Sequence, residues 1–214
     1  MEIQWIESKF FDRNKIANAM IIIHHTGSKN GVINSLQGTI DWFKPDPWRS
    51  SPKVSAHYII PRKEQAIIQM VRDEHVAYHA GESQWRINGV LRQNLNDWSI
   101  GIELQGDGNL FEYTDFQYEA LIWLCRQKMQ KFGITEDLIV GHEDVSPGRK
   151  NDPGVYFDWR RVRRALYSPP PVVVPGRPGG EEIPERDDVE MPSEENRPLL
   201  ERLFDLFLSI FKRK

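Results

Sequence analysis

The sequence predicts an α/β fold, in which a central mixed β-sheet is flanked by helices. Two observations support this fold class. Short, β-branched apolar runs, which are typical of buried strands, alternate along the first 168 residues with longer segments of helical periodicity. Polar residues follow several of these runs directly, where loops at strand ends commonly carry functional groups.

The first half of this region contains three predicted strands and one helix. Met20 to His24 is predicted to be a buried strand because its run is short, apolar and β-branched. A helix is predicted over Ile33 to Phe43, where apolar residues recur every three or four positions. Val54 to Ile60 and Ala66 to Val71 are predicted to be two further strands, joined by a short polar connection.

The second half continues the alternation of strands and helices. Ser99 to Leu104 is predicted to be a strand because its bulky apolar residues occupy every second position. A long helix is predicted to begin with a capping box at Thr114 and to end at Gly133. Leu138 to Val140 is predicted to be a short strand, and Asp158 to Leu166 a final helix.

The chain is predicted to divide near residue 168. Residues 1–168 carry 21 basic and 21 acidic side chains, a balanced composition that is typical of a globular domain. Residues 169–197 contain seven prolines, eight acids and three arginines, with few bulky apolar residues. Such a segment cannot bury enough surface to offset its ordering entropy, so we expect a disordered linker.

Residues 198–214 are predicted to form an amphipathic C-terminal helix. Leucine, isoleucine and phenylalanine side chains cover most of its circumference, and Lys212-Arg213-Lys214 ends it. A length of 17 residues and charges in the middle argue against a membrane span. A helix on a membrane surface fits better, and docking on the preceding domain or self-association is the alternative.

Composition excludes some classes of function. The net charge of −3 on 214 residues argues against nucleic acid as a partner. Cys125 is the single cysteine, so we expect no internal disulfide, and its apolar helical surroundings predict core packing. The N-terminus lacks a basic leader and a long apolar stretch, so we expect synthesis in the cytoplasm without a signal peptide.

The segment Gly141 to Pro153 carries the clearest chemical signal. It places His142 and Asp152 ten residues apart on a Pro/Gly-rich loop, with Lys150 two residues before the aspartate. The first predicted strand ends in His24-His25, and because strand neighbours point to opposite faces, we expect only one of these imidazoles to join the loop residues. Two imidazoles and one carboxylate make a three-ligand zinc site with an open fourth position, which is the catalytic arrangement.

Five motifs follow one another in a recognisable order. They are His24-His25-Thr26, Val54-Ser55-Ala56-His57-Tyr58, Tyr78-His79-Ala80-Gly81, Asn96 to Leu104, and His142 to Pro153. Together they resemble the zinc-dependent N-acetylmuramoyl-L-alanine amidases, the family of phage lysozyme-type amidases and peptidoglycan recognition proteins. The resemblance covers roughly residues 20–165. An aspartate at the position of Asp152 is typical of the bacterial branch, which includes muropeptide-recycling and envelope amidases.

The resemblance implies a role for five residues. His24, His142 and Asp152 would hold one Zn²⁺ ion per chain. Glu103 would take a proton from the attacking water and pass it to the leaving nitrogen, and a solvated strand residue is the alternative for it. Lys150 would stabilise the oxyanion.

Four other residues are weighed near the site. His79 matches a histidine that lines the cleft in the family, and a structural role is the alternative. Trp85 could stack on a sugar or pack within its loop, and Asn96 could bind the stem peptide or fix the loop before the Ser99 strand. Arg149 is expected in a surface or structural ion pair.

One position departs from the family pattern. The phage branch has a tyrosine directly before the histidine of its Tyr-His strand motif, and Ala56 occupies that place here. Tyr58 lies two residues further on, so the tyrosine role is not transferred. Proton transfer is therefore expected to depend on Glu103.

The implied activity is hydrolysis of the amide between the lactyl group of N-acetylmuramic acid and L-alanine of the stem peptide. The main expectation is a lytic or envelope-acting enzyme that binds peptidoglycan or muropeptides. Such an enzyme would either contact a membrane surface through residues 198–214 or be released to the cell wall. The alternatives are a cytosolic enzyme that recycles 1,6-anhydro-muropeptides, a non-catalytic peptidoglycan-binding module, and a peptidase that cuts within the stem peptide.

Overall fold

The computed structural model describes residues 1–44, 53–63 and 66–167. The predicted linker at residues 169–197 and the predicted amphipathic helix at residues 198–214 lie outside the described residues. Among the described residues, each helix is too short or too polar to cross a membrane.

Twelve strands occur in the described part of the chain. Six of them form one sheet, and the other six form three two-stranded pairs. The strands are β1 (Glu2–Trp5), β2 (Phe11–Asp12), β3 (Met20–His25), β4 (Ser28–Lys29), β5 (Val32–Ile33), β6 (Tyr58–Ile60), β7 (Ala66–Gln69), β8 (Val76–Ala77), β9 (Gln84–Ile87), β10 (Val90–Gln93), β11 (Ser99–Leu104) and β12 (Ile139–Gly141).

The main sheet has the strand order β1-β7-β6-β11-β3-β12. β6 and β7 are antiparallel, whereas all other neighbours in this sheet are parallel. β3 and β11 lie inside the sheet, and eleven of their twelve residues are buried, which explains why both are short and mainly apolar. The predicted fold class, a mixed sheet with helices around it, is confirmed for the described residues.

Helices with well-defined ends accompany the sheet. Thr114 and Gln117 form the predicted capping box, and Gly133 ends the long helix in the left-handed conformation, with a φ of 69°. Cys125 is buried on this helix, as predicted. The α-helices of the described region are α1 (Leu36–Phe43), α2 (Asp115–Phe132), α3 (His142–Val145) and α4 (Trp159–Tyr167).

Hydrophobic residues on both sides of the sheet form two clusters. In β6, Tyr58 and Ile60 belong to the larger cluster, which includes residues of α2 and α4, whereas Ile59 belongs to a smaller cluster with Ile40 and Phe43 of α1. Because neighbours on a strand point to opposite faces, α1 covers one face of β6 and α2 covers the other. The sheet is therefore flanked by helices on both faces.

The predicted starts of one helix and one strand are wrong. The helix predicted from Ile33 begins at Leu36, because Val32 and Ile33 pair with β4 and the Ser35 hydroxyl accepts a hydrogen bond from the Gly38 amide. The strand predicted from Val54 begins at Tyr58.

The late start of β6 has a local cause. The His57 amide donates to the Gly101 carbonyl at 3.1 Å, but the Gly101 amide donates to the His57 side-chain Nδ1 at 3.0 Å. A side chain thus replaces a backbone carbonyl as the acceptor, and the regular ladder begins only after His57.

Candidate active site

The pairing of β11 with β3 places Glu103 beside His24. The two residues face each other in the parallel register, and such partners project from the same side of a sheet. Both are buried, with 6% of Glu103 and 1% of His24 exposed. β12 pairs with the other edge of β3, where Gly141 faces Ile23, so His142 follows directly beside the end of β3.

The loop after His142 folds back and returns Asp152 to the start of α3. The Glu143 amide donates to the Asp152 carbonyl at 2.9 Å. Just beyond, the chain crosses another backbone so closely that a Cβ on Gly154 would overlap the carbonyl of Gly108. Gly154 also has a φ of 95°, a conformation that residues with a Cβ rarely adopt. Two glycines thus permit the crossing that brings Asp152 back.

Three side chains converge at this point. The Nδ1 atoms of His24 and His142 lie 2.9 Å apart, and the Asp152 Oδ2 lies 2.9 Å from the first and 3.0 Å from the second. All three residues are buried. These residues form a cluster that could hold a metal ion.

The outer nitrogens of both histidines have partners of their own. The His142 Nε2 lies 2.9 Å from the Ala80 carbonyl, and the His24 Nε2 lies 2.9 Å from the His79 Nδ1. A carbonyl oxygen only accepts, so the His142 Nε2 carries the hydrogen and its Nδ1 presents a lone pair to the cluster. A lone pair directed at two other acceptors is repulsive unless a cation or a proton lies between them.

Protonation at the cluster follows from burial and from the neighbouring groups. Burial, together with the nearby His142, lowers the pKa of His24 to about 4, although the hydrogen bond that a protonated His24 donates to Asp152 opposes this change. Burial alone would raise the pKa of Asp152, but the hydrogen bonds that His142 and His24 donate when the facing nitrogen is protonated hold it below its usual range. A neutral imidazole beside an ionised carboxylate is the protonation state that binds a metal.

The donor set is suited to a catalytic metal. Three protein ligands of the type His, His and carboxylate, with room for a fourth ligand, are characteristic of catalytic zinc sites. The fourth side of the cluster opens into a cleft, so an incoming ligand can reach it.

Glu103 contributes a buried carboxyl group next to this cluster. Its Oε2 is buried and has no hydrogen-bond partner within the described chain. Burial and the negative charge of Asp152 raise the pKa of Glu103 well above its usual range, and Lys150 opposes this rise. A buried carboxyl oxygen without a partner is inconsistent with the alternative of a solvated strand glutamate. Strongly perturbed carboxyl groups in clefts are candidates for proton transfer.

The cluster forms the floor of a cleft of about 420 Å³. Lys150 lines this cleft and is exposed, which leaves its ammonium group free to approach a ligand. The cleft is lined by His24, His25, Thr26, Gly27, Trp42, Phe43, Val54, Tyr78, His79, Glu103, His142, Arg149, Lys150, Asn151 and Asp152.

Comparison with known proteins agrees with this geometry. Residues 13–155 match the family model described as N-acetylmuramoyl-L-alanine amidase, and this match contains the whole cluster and Glu103. The chain belongs to the N-acetylmuramoyl-L-alanine amidase family.

Several curated relatives within the family share one name, 1,6-anhydro-N-acetylmuramyl-L-alanine amidase AmpD. The AmpD of Escherichia coli K12 is 42% identical over 111 residues, which cover 52% of this chain and 57% of AmpD. The AmpD of Haemophilus influenzae is 46% identical over 110 residues, which cover 51% of this chain and 56% of that protein. The chain thus spans little more than half the length of these curated relatives.

Solved structures show the same fold. A crystal structure of an AmpD derivative has a TM-score of 0.66 and 29% identity, and the match covers 77% of this chain and 94% of that chain. The N-acetylmuramyl-L-alanine amidase AmiD of Escherichia coli, in complex with anhydro-N-acetylmuramic acid-L-Ala-D-γ-Glu-L-Lys, has a TM-score of 0.56 and 27% identity; the match covers 75% of this chain and 60% of that chain.

In this member of the amidase family, two of the predicted substrate residues contact the cluster of His24, His142 and Asp152 or the residues beside it. His79 lines the cleft and its Nδ1 lies next to His24. Asn96 does not line this cleft, although it borders an adjoining pocket. Its Oδ1 accepts hydrogen bonds from the amides of His79 and Ala80, at 3.0 and 2.8 Å. These two hydrogen bonds support the alternative in which Asn96 holds a loop in place.

Trp85 and Arg149 differ in their relation to the amidase cleft. Trp85 lies on β9, is partly buried against the larger hydrophobic cluster, and does not line the cleft. The Arg149 guanidinium donates to the carbonyls of Ala80 and Glu82, both at 2.7 Å, and to the Ser146 hydroxyl at 2.8 Å. In the described chain these acceptors are neutral groups rather than a carboxylate. Arg149 therefore links its own loop to the segment Ala80–Glu82 instead of forming the expected ion pair.

His25 and Tyr58 do not belong to the cluster of His24, His142 and Asp152. The His25 Nδ1 accepts a hydrogen bond from the Gly108 amide at 2.9 Å, whereas His24 joins the cluster. The structure thus selects His24 from the two neighbouring histidines. The Tyr58 hydroxyl donates to Asp73 at 2.7 Å and lies 2.6 Å from the buried Lys128 Nζ. Tyr58 therefore belongs to a polar network away from the cleft.

Several groups at the site carry no sequence signal. Trp42 and Phe43 of α1 line the cleft, although their helical spacing predicts only core packing. The Ala80 carbonyl is a backbone atom, so no residue type could indicate its hydrogen bond with His142. The Ser99 hydroxyl lies 3.3 Å from the His79 Nε2, and in the sequence only its place at the start of the strand that carries Glu103 links it to the site.

Proposed function

We propose that the protein is a zinc-dependent N-acetylmuramoyl-L-alanine amidase, which hydrolyses the amide between the lactyl group of N-acetylmuramic acid and L-alanine of the stem peptide. The observation that carries this proposal is the buried carboxyl group of Glu103, whose Oε2 has no hydrogen-bond partner in the described chain, beside three converging donors at the floor of an open cleft. Membership of the amidase family supports the same reaction.

In the proposed mechanism, His24, His142 and Asp152 would hold Zn²⁺, and the bound ion would lower the pKa of water to roughly 7 and polarise a carbonyl. Glu103 accepts a proton from the attacking water and delivers it to the departing amide nitrogen. The buried position of this carboxyl group keeps it close to the cluster. Lys150 places a positive charge where the carbonyl oxygen becomes negative.

The proposed substrate class is an N-acetylmuramic acid that carries a stem peptide. Two supports come from solved relatives, whose structures are complexes with anhydromuramic pentapeptide and with anhydro-N-acetylmuramic acid-L-Ala-D-γ-Glu-L-Lys. The open cleft, whose walls carry both aromatic and charged residues, is large enough for the region around the scissile bond. Soluble anhydro-muropeptides and the intact wall are two separate candidates within this class.

Mass spectrometry of the products tests the proposed function. Zinc-loaded protein is incubated with whole sacculi and, separately, with soluble anhydro-muropeptides, and the Glu103→Gln variant is the control. We expect free stem peptides that begin with L-alanine, together with the sugar bearing a free lactyl carboxylate. Cleavage between amino acids of the stem would identify a peptidase, and binding without any product would identify a non-catalytic binding module. Either result would contradict the proposal.

The Lys150→Ala variant is expected to lower kcat by on the order of 10²-fold, as the removal of an oxyanion partner usually does. Zinc affinity is expected to stay close to that of the wild type, since the Lys150 side chain is exposed and lies outside the donor cluster. Steady-state kinetics on a soluble muropeptide measure the effect, with Lys29→Ala as the matched control, because Lys29 is an exposed residue of β4 that does not line the cleft. An unchanged kcat for Lys150→Ala would remove this residue from the mechanism.

We also propose that residues 198–214 bind a membrane surface, because their sequence combines a wide apolar face with the terminal cluster Lys212-Arg213-Lys214. A chain that ends at residue 168 is expected to stay active on soluble muropeptides but to lose co-sedimentation with anionic vesicles. In the full chain, Leu206→Glu combined with Phe207→Glu is expected to have the same effect on binding. Equal sedimentation of the full and shortened chains would favour docking or self-association instead.

A further inference from the structure

The two-residue segment His79-Ala80 contacts both histidines of the cluster. The His79 Nδ1 lies 2.9 Å from the outer nitrogen of His24, and the Ala80 carbonyl lies 2.9 Å from the outer nitrogen of His142. Neighbouring residues of one loop therefore support two ligands, one from β3 and one from the start of α3.

The direction of the hydrogen bond between His79 and His24 follows from a third residue. The Ser99 hydroxyl donates to the Leu95 carbonyl at 2.5 Å, so its oxygen is left to accept from the His79 Nε2 at 3.3 Å. A neutral imidazole with hydrogen on Nε2 has a bare Nδ1. The His79 Nδ1 therefore accepts a hydrogen from the His24 Nε2, which leaves the His24 Nδ1 bare and directed at the cluster.

The segment is itself held in place from two sides. The Asn96 Oδ1 accepts hydrogen bonds from the backbone amides of His79 and Ala80, at 3.0 and 2.8 Å. The His79 ring lies directly over Gly101 of β11, where a Cβ would come within 2.6 Å of the ring Nδ1. Gly101 thus makes the space for this imidazole on a strand that otherwise favours bulky residues.

We propose that His79 and Ala80, held by Asn96, are positioning residues that set the ring orientation and the tautomer of both histidine ligands. In this view the main role of His79 is toward the metal site rather than toward the substrate. The proposal rests on the metal site of the proposed function, but it does not require that the site hydrolyse an amide. Partners of this kind commonly contribute about 10- to 100-fold to metal affinity, so a loss of that size is expected when the acceptor is removed.

Zinc affinity of the whole chain tests the proposal directly. His79→Leu fills much of the same space without an acceptor, and His79→Asn places its Oδ1 near the position of the lost Nδ1. In competition with a chromogenic chelator, His79→Leu is expected to raise the zinc Kd by about 10- to 100-fold, and His79→Asn to restore most of the affinity. His75→Leu is the matched control, because the His75 ring stacks on Phe11 away from the cluster.

Two further variants keep the test decisive if His79→Leu does not fold. His79→Gln carries a polar group of similar size, but its terminal amide lies nearer the position of Nε2, so its zinc affinity is expected to fall. Gly101→Ala leaves His79 in the chain and displaces its ring, and it is expected to weaken zinc binding in the same direction. In the Co²⁺-loaded forms, the visible absorption bands of His79→Asn are expected to resemble those of the wild type.

Wild-type zinc affinity in His79→Leu or His79→Gln, together with a raised KM, would overturn the proposal and return His79 to substrate binding. Equal loss of zinc affinity in His79→Asn and His79→Leu would also overturn it, since the acceptor would then be irrelevant. If the wild type binds zinc as expected but releases no product from muropeptides, the proposed function fails and this inference stands.

Discussion

The His142→Ala variant is expected to lose stoichiometric zinc and amidase activity together. His142 supplies one of three donors that lie within 3.0 Å of one another, and two remaining ligands are too few for a stable catalytic site. Removal of this imidazole also takes away one of two hydrogen-bond donors to the Ala80 carbonyl and leaves the Arg149 guanidinium. Metal analysis after dialysis, followed by a product assay with added zinc, measures both losses.

Two variants control the metal prediction. His25→Ala removes a neighbouring imidazole that contacts the Gly108 amide rather than the cluster, so one zinc per chain should be retained. Asp152→Cys should keep zinc because a thiolate is also a good zinc ligand. Zinc bound by His142→Ala with the affinity of the wild type would show that the ion binds elsewhere, and the assignment of the cluster would be wrong.

The Glu103→Gln variant is expected to lower kcat by on the order of 10²- to 10⁴-fold, the usual contribution of general acid–base catalysis. Glutamine fills nearly the same space but cannot accept the proton from water. Zinc stoichiometry and KM should change little, since Glu103 is not among the three converging donors. Single-turnover kinetics on a soluble muropeptide measure the chemical step, and Glu112→Gln on the surface is the matched control.

A stability measurement separates loss of the base from loss of the fold. Because burial raises the pKa of Glu103, ionisation is more favourable in the unfolded chain than in the folded one. The metal-free protein is therefore destabilised as the pH rises above the ordinary pKa of a glutamate, about 4.3, and the glutamine variant does not carry this cost. Metal-free Glu103→Gln is expected to melt at a higher temperature than the wild type at pH 7. Full activity in Glu103→Gln would instead show that another group acts as the general base.

Local sequence patterns were sufficient for most elements of the described fold. The capping box at Thr114 and the left-handed Gly133 depend on contacts within a few residues, so the long helix was predicted almost to its ends. The strand Ser99–Leu104 was predicted with its observed bounds. The start of β6 was missed because the His57 side chain takes a hydrogen bond that a backbone carbonyl usually takes, and its donor lies 44 residues away in the sequence.

The candidate site divides in the same way. The sequence by itself determined the types of the ligating groups, since His142 and Asp152 share one loop and His24 ends a strand. The tertiary structure decided that His24 and not His25 joins them, because the register of β3 with β11 and β12 selects the face. It also decided that His79 and Asn96 support the cluster, through hydrogen bonds that include the backbone amides of His79 and Ala80. The physical reason is that residue types specify which donors and acceptors exist, whereas only the folded chain determines their distances and directions.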